Sequence, residues 1–178
     1  KPCAVILCTD SKELISLAKG WGFESLLTSH NCNSGSERIS SVAKDLISIA
    51  KVKKNISQED EKNTLIINVQ GDQPFINPEI IDSMASEFEK RNPTPEVLTP
   101  VYEMSKDKIH NPNVVKTLLS HKGRAIYFSR SALPHVRDIE PEQWNKQIPF
   151  WGHVGIYGYR ADILKKWNEF PFSPLENA

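Results

Sequence analysis

Apolar strand-like runs alternate with amphipathic helical stretches through the first hundred residues. That alternation predicts an α/β fold built on a mainly parallel, Rossmann-like sheet with helices on both faces. After Pro100 the helices thin out and short strand-like runs dominate, which predicts a smaller antiparallel lobe. The run Asn68-Val69-Gln70-Gly71-Asp72-Gln73-Pro74 ends an apolar strand with an amide, a glycine and a carboxylate. In open α/β sheets, ligands sit in the crevice beyond the carboxyl ends of the strands.

Each element has its own warrant. Cys3 to Thr9 is a continuous apolar run, as expected of a strand buried on both faces. Asp10-Ser11 caps a helix that turns Leu14, Ile15, Leu17 and Ala18 inward and ends at Gly20. A short strand, Ser25 to Thr28, leads into a polar loop. One helix from Glu37 to about Lys51 follows, with Ile39, Val42, Ala43, Leu46, Ile47 and Ala50 at helical spacing. Residues 52–63 are polar and charged, apart from Val52 and Ile56, and read as surface. The strand Thr64 to Val69 precedes a helix from Pro78 through Lys90, with proline at its first position and Ile80, Ile81, Met84, Ala85 and Phe88 inward. Val97-Leu98-Thr99 is a short strand.

Beyond it, Val114 to Leu119 and Ala125 to Ser129 form a hairpin across Ser120-His121-Lys122-Gly123-Arg124, and Val154 to Tyr159 is a third strand. Residues 134–150 read as an excursion rich in proline and charge, and Ala161 to about Asn168 as a helix. Ser173-Pro174-Leu175-Glu176 resembles a helix start, and the chain opens on a strand. Both ends are those expected of a fragment of a longer protein.

The chain has 178 residues, 39% of them hydrophobic and 25% charged, as in ordinary globular domains. Its 22 basic and 22 acidic side chains cancel, which argues against nucleic acid as a partner. No apolar run approaches the roughly 20 residues of a membrane span, so no membrane insertion is expected. Three cysteines make no disulfide framework and fit a reducing cytoplasm, with Cys3 and Cys8 as small core residues. A nucleophile elbow, a complete phosphate loop and a dinucleotide fingerprint are all missing from the sequence.

Four groups of residues could carry chemistry. Ser34-Gly35-Ser36-Glu37-Arg38 opens a helix with capping-box spacing, and the same geometry can present amides and an arginine fork to an anion. Gln70 can donate and accept, while Asp72 suits Mg²⁺ on a phosphate; an extended strand would set both on one side. His153, Gly155, Tyr157 and Tyr159 alternate along one strand face, with His153 and Tyr157 about 13 Å apart. Gly155 leaves a slot of sugar size between them, unless the face is simply packed. Arg130 is either a solvated charge or a bidentate clamp for a carboxylate.

These stretches resemble the 3-deoxy-manno-octulosonate cytidylyltransferases, the CMP-Kdo synthetases. The matching blocks run in order: Cys8-Thr9-Asp10, Ser34 to Arg38, Asn68 to Pro74, Asn111-Pro112-Asn113-Val114-Val115-Lys116, Tyr127-Phe128-Ser129-Arg130, His153 to Arg160, and Ser173 to Glu176. The resemblance implies a nucleotide-diphospho-sugar transferase fold, with residues 1–178 as one partial domain. Residues 1 to about 100 would be the nucleotide-binding half, and about 101–160 a sugar-binding and dimerisation lobe. It implies transfer of CMP from CTP to Kdo with release of pyrophosphate, Mg²⁺ as cofactor, a homodimer, and a cytoplasmic role in lipopolysaccharide synthesis.

Asp72 would hold the metal, with Gln70 beside the reacting centre. Asp10, Ser34, Gly35, Ser36, Glu37 and Arg38 would bind the nucleotide, and Gln70, Arg130, His153 and Tyr157 the sugar acid. The family's arginine-rich triphosphate loop and second metal carboxylate have no counterpart in this chain. On that ground the isolated chain is expected to be inactive. Sialic acid or 8-amino-Kdo as the sugar, or a non-catalytic nucleotide-binding or dimerisation module, are the other readings.

Overall fold

Two compact units share the chain: one formed by Lys1–Leu98 with Tyr157–Ala178, the other by Thr99–Ile156. The computed structural model describes residues 2–54, 58–171 and 173–174.

In the first unit, β1 (Ile6–Thr9) pairs in parallel with β2 (Glu24–Leu27), Thr9 opposite Leu27. Between them runs α1 (Lys12–Gly20), capped by Ser11, whose hydroxyl accepts from Leu14 N–H at 3.2 Å. The helix ends at Gly20 as expected, and Gly22 closes it: at φ 81° its N–H bonds Lys19 O and the following Phe23 N–H bonds Ala18 O, a Schellman closure that favours glycine. The inward face is narrower than the periodicity implies, since Ala18 is buried whereas Leu14 and Leu17 are exposed. Strand β1 is likewise only partly covered, and Cys3 is exposed rather than a core residue.

The single helix expected from Glu37 is two helices, α2 (Gly35–Ser41) and α3 (Ala43–Lys54), broken at Val42. Val42 has φ −115° and ψ 17°, outside the helical well, so its side chain stays in the core while the axis changes. Gln58–Asn63 forms a 3₁₀ turn, and Ile56 lies outside the described residues.

Strand β3 (Leu65–Asn68) and β4 (Val97–Leu98) flank β9 (Tyr157–Arg160), which runs antiparallel to both. Among the described residues parallel pairing is therefore confined to β1 and β2, although β3 and β4 point the same way. The inserted strand arrives from far along the chain, so local alternation could not place it. Before β4, α4 (Pro78–Lys90) buries Met84 and Phe88. Its N-cap is Asn77, whose side chain accepts from Glu79 N–H at 3.0 Å. The core of this unit joins Ile39, Val42, Ala43 and Leu46 to Tyr159 and Leu164. Leu164 belongs to α6 (Ala161–Leu164), shorter than expected and followed by a 3₁₀ turn, Trp167–Glu169. Leu175 and Glu176, part of the expected helix start, lie outside the described residues.

In the second unit, β5 (Val101–Glu103), β6 (Lys116–Leu119), β7 (Ala125–Ser129) and β8 (Trp151–His153) form one antiparallel sheet ordered β5-β8-β6-β7. The β6–β7 turn is the expected hairpin: Gly123, at φ 73°, donates to Ser120 O. The Pro-rich excursion is not coreless. Trp144, in a 3₁₀ turn at Pro141–Lys146, packs with Met104, Phe150 and Ile109 of the short helix α5 (Lys106–Ile109). The third expected strand, Val154 to Tyr159, is broken. Ile156 N–H turns back to Val154 O at 2.7 Å, separating β8 from β9.

Candidate functional site

The carboxyl ends of β1, β2 and β3 and the start of α2 meet in the first unit. Ser34 accepts from Glu37 N–H at 3.1 Å, while the Glu37 carboxylate accepts from Asn33 N–H at 2.8 Å. This is a capping box displaced by one residue, so both side chains are spent on the helix start. Ser36 Oγ and Tyr159 OH are hydrogen-bonded at 2.6 Å, tying α2 to β9. Burial foremost pushes the Tyr159 phenol above its usual pKa.

Gly35 faces β3: a Cβ there would lie 3.1 Å from Asn68 Nδ2 and 3.8 Å from Gln70 Cδ. The missing side chain lets the start of α2 approach the amides of Asn68 and Gln70. Asn68 Nδ2 is buried with no hydrogen-bond acceptor among the described residues.

Arg38 cross-ties two strand ends. Its Nη1 donates to Thr28 Oγ1 at 2.5 Å and to Ser29 O at 3.3 Å, and its Nη2 donates to Asp10 Oδ2 at 3.1 Å. Asp10 also lies 3.3 Å from His30 Nδ1. Desolvation works to raise the Asp10 pKa, but the Arg38 hydrogen bond and charge, its own backbone amide and His30 hold it below the usual carboxylate range. Both side chains are thus engaged with the protein and fix the crevice wall.

The strand does not stay extended between Gln70 and Asp72. It ends at Asn68, and a turn closed by Gln73 N–H on Gln70 O at 3.1 Å carries Asp72 to the surface. The same-side argument for these two residues fails for that reason. Among the described residues no three His, Cys, Asp or Glu side chains gather to hold a metal. Asp72 offers one exposed carboxylate, which fits a cation only where phosphate oxygens complete its shell.

Tyr157 belongs to the first unit; Arg130 and His153 belong to the second. The broken strand removes the continuous face on which the slot between His153 and Tyr157 was expected. His153 Nε2 lies 2.7 Å from Thr99 Oγ1, and that hydroxyl is 2.8 Å from Ile156 O and 3.2 Å from Val154 O. A hydroxyl has one proton. Assigning it to the nearer carbonyl makes His153 Nε2–H the donor to Thr99, which sets the tautomer. Phe128 packs edge-on at 4.9 Å, and burial lowers the His153 pKa. Arg130 is exposed, with Nη1 donating to Pro112 O at 3.1 Å.

Sequence reading missed Thr28, Asn68 and Thr99, whose roles come from partners distant along the chain. Asn68 alone had a signal, as the polar residue closing an apolar strand. A cavity of about 240 Å³ elsewhere in the first unit, lined by Lys44, Ile47, Ser48, Lys51, Glu61 and Lys165, contains none of the predicted site residues.

A cytidylyltransferase family model matches residues 2–178. The chain belongs to the cytidylyltransferase family. It is 31% identical over 175 residues to the 3-deoxy-manno-octulosonate cytidylyltransferase of Porphyromonas gingivalis. It is 36% identical over 175 residues to 3-deoxy-manno-octulosonate cytidylyltransferase 2 of Actinobacillus pleuropneumoniae serotype 5b. Each match covers 97% of this chain and 64% of the relative. A solved CMP:2-keto-3-deoxy-manno-octonic acid synthetase complexed with CTP superposes with a TM-score of 0.76 at 25% identity, over 98% of this chain and 63% of that one. This cytidylyltransferase chain therefore spans a little under two thirds of the length of these relatives. Among its described residues, no helix is long and apolar enough to cross a membrane.

Proposed function

We propose that the protein carrying this chain transfers CMP from CTP to 3-deoxy-manno-octulosonate, releasing pyrophosphate, in the cytoplasmic supply of activated sugar for lipopolysaccharide. The observation that carries this reading is the crevice of the first unit. There the ends of β1, β2 and β3 bring Asp10, Arg38, Gly35, Asn68 and Gln70 together at the start of α2. Strand ends of an open α/β sheet are where nucleotides bind. Gly35 lets the start of α2 close on β3, and Asn68 and Gln70 supply amides that can read hydroxyl or carbonyl groups.

In such a transfer the sugar hydroxyl attacks the α-phosphorus in line, and positioning and charge neutralisation dominate. Asp72 would hold Mg²⁺ beside the phosphates, where the ion would neutralise developing charge. Gln70, at the base of the same turn, orients substrate near the reacting atoms. Arg130 takes the sugar-acid carboxylate, and His153, with its ring held by Thr99, binds a sugar hydroxyl. Tyr157 contributes a further hydroxyl contact.

Pyrophosphate release by the full-length protein, with CTP and a panel of Kdo, 8-amino-Kdo and sialic acid, tests the assignment. Turnover restricted to Kdo is expected; turnover only with sialic acid, or none with any sugar acid, overturns it. A homodimer through β7 belongs to the same proposal. This edge strand exposes Ile126 at 65%, Tyr127 at 49% and Phe128 at 39%, an apolar edge that a second copy would cover. Sedimentation should give a dimer that Ile126→Lys dissociates; a monomeric parent protein would remove this part.

A further inference from the structure

Lys116 is 0% exposed, and among the described residues no carboxylate pairs with it. Its ammonium has three protons and three backbone acceptors: Asn111 O at 2.5 Å, Arg130 O at 2.7 Å and Val114 O at 2.9 Å. Burying an ammonium without a counter-ion is costly, and an aliphatic side chain would fill the same space in β6 without that cost. What the ammonium supplies is a junction between two segments distant in the chain.

One segment is the turn Asn111–Val114, closed by Asn113 N–H on Asn111 Oδ1 at 2.9 Å and by Val114 N–H on Asn111 O at 3.2 Å. The other is the end of β7. Arg130 is held there twice: its carbonyl accepts from Lys116, and its guanidinium donates to Pro112 O, between the two turn carbonyls that Lys116 holds. Burial foremost, and the nearby Arg130 charge, lower the Lys116 pKa.

We propose that Lys116 is a positioning residue for sugar-acid recognition. It locks the Asn111–Val114 turn against the Arg130 backbone, so the exposed guanidinium is preorganised for a carboxylate, and its buried charge deepens the positive field there. This rests on the reading of Arg130 as the carboxylate partner. A residue that only stapled the hairpin would change stability and leave substrate discrimination alone.

The test is steady-state pyrophosphate release by the full-length protein carrying Lys116→Met, Arg130→Ala or both, with Kdo and CTP each varied. Lys116→Met should raise the KM for Kdo about tenfold and leave the KM for CTP within about twofold. In the Arg130→Ala background it should add less than about twofold, because the two changes act on one contact. An unchanged Kdo KM, an equal rise in both KM values, or full additivity with Arg130→Ala overturns the proposal. If Arg130→Ala itself leaves the Kdo KM unchanged, the reading of Arg130 falls and takes this inference with it. If Arg130→Ala raises it and Lys116→Met does not, only the inference falls. Should circular dichroism show Lys116→Met unfolded, Lys116→Arg decides by the same criteria. It keeps the charge, but its planar fork cannot meet three converging carbonyls.

Discussion

Replacing Ser36 with alanine tests what that hydroxyl does. The change removes one of two hydroxyls that meet at 2.6 Å. The one left behind, on Tyr159, is 1% exposed and cannot turn to water. An orphaned buried hydroxyl costs about 1–3 kcal/mol. Tyr159→Phe instead strands Ser36, which is half-buried and can reach solvent, at a cost of about 0.5–1.5 kcal/mol. The double variant leaves no orphan, so it should be more stable than Ser36→Ala alone, with a coupling of about 1–2 kcal/mol. Urea unfolding followed by circular dichroism measures this cycle, and calorimetry on the same full-length proteins measures CTP affinity. If Ser36 acts by holding α2 in place, Ser36→Ala weakens CTP about fivefold and the double variant recovers most of the loss. A double variant less stable than Ser36→Ala refutes the packing argument. Recovered stability with unrecovered CTP affinity shows that the hydroxyl touches the nucleotide itself.

Gly152→Ala should destabilise by about 1–2 kcal/mol, because its Cβ would lie 2.5 Å from Tyr102 Cζ; Tyr102→Leu in the same chain should relieve most of that, and an unrelieved loss would refute the contact. Glu61 accepts from Lys165 at 2.8 Å and Lys51 at 2.9 Å, and these bonds lower its pKa from 4.5. Its stabilisation is present above about pH 4.5 and is lost as pH falls through the lower folded-state value. Glu61→Gln should therefore flatten the acid limb of an unfolding-versus-pH curve, and an unchanged limb would count against the pairing. His153 titrates below its ordinary 6.5 when folded, so the unfolded chain takes up the proton first and stability should fall as pH drops below that value. His153→Gln should remove that slope, and a slope retained in the variant would assign it to another group.

Local chemistry made much of the first unit legible. Ser11, Ser34 and Asn77 are each capping residues of the kind the sequence advertises, and Pro78 opens its helix where a missing N–H costs nothing. Gly123 marks its hairpin for the same local reason. Errors came where one residue's conformation is decided by distant packing. Val42 breaks a periodic helix because the core holds its side chain. The placement of β9 between β3 and β4, and the turn at Val154–Ile156, depend on partners dozens of residues away. At the candidate site, the gathering of Gly35 with Gln70 depends on one such approach. The engagement of Arg38 by Asp10 and Thr28 was hidden, because an arginine at a helix start reads equally as clamp or strut.

Thr99 opens the second unit and Ile156 closes it, and one hydroxyl bridges them at 2.8 Å. The intervening segment is an insertion whose two ends are knotted at its root. Bringing the ends of so long a loop together costs about 3–4 kcal/mol in chain entropy. Once the antiparallel sheet forms and Thr99 grips Ile156, that cost is met within the insertion. The strand that follows, β9, is then delivered to β3 and β4 as though it were a near neighbour in sequence. Folding order is thereby written into the root: the inserted lobe should acquire protection from hydrogen exchange before the β3-β9-β4 sheet closes.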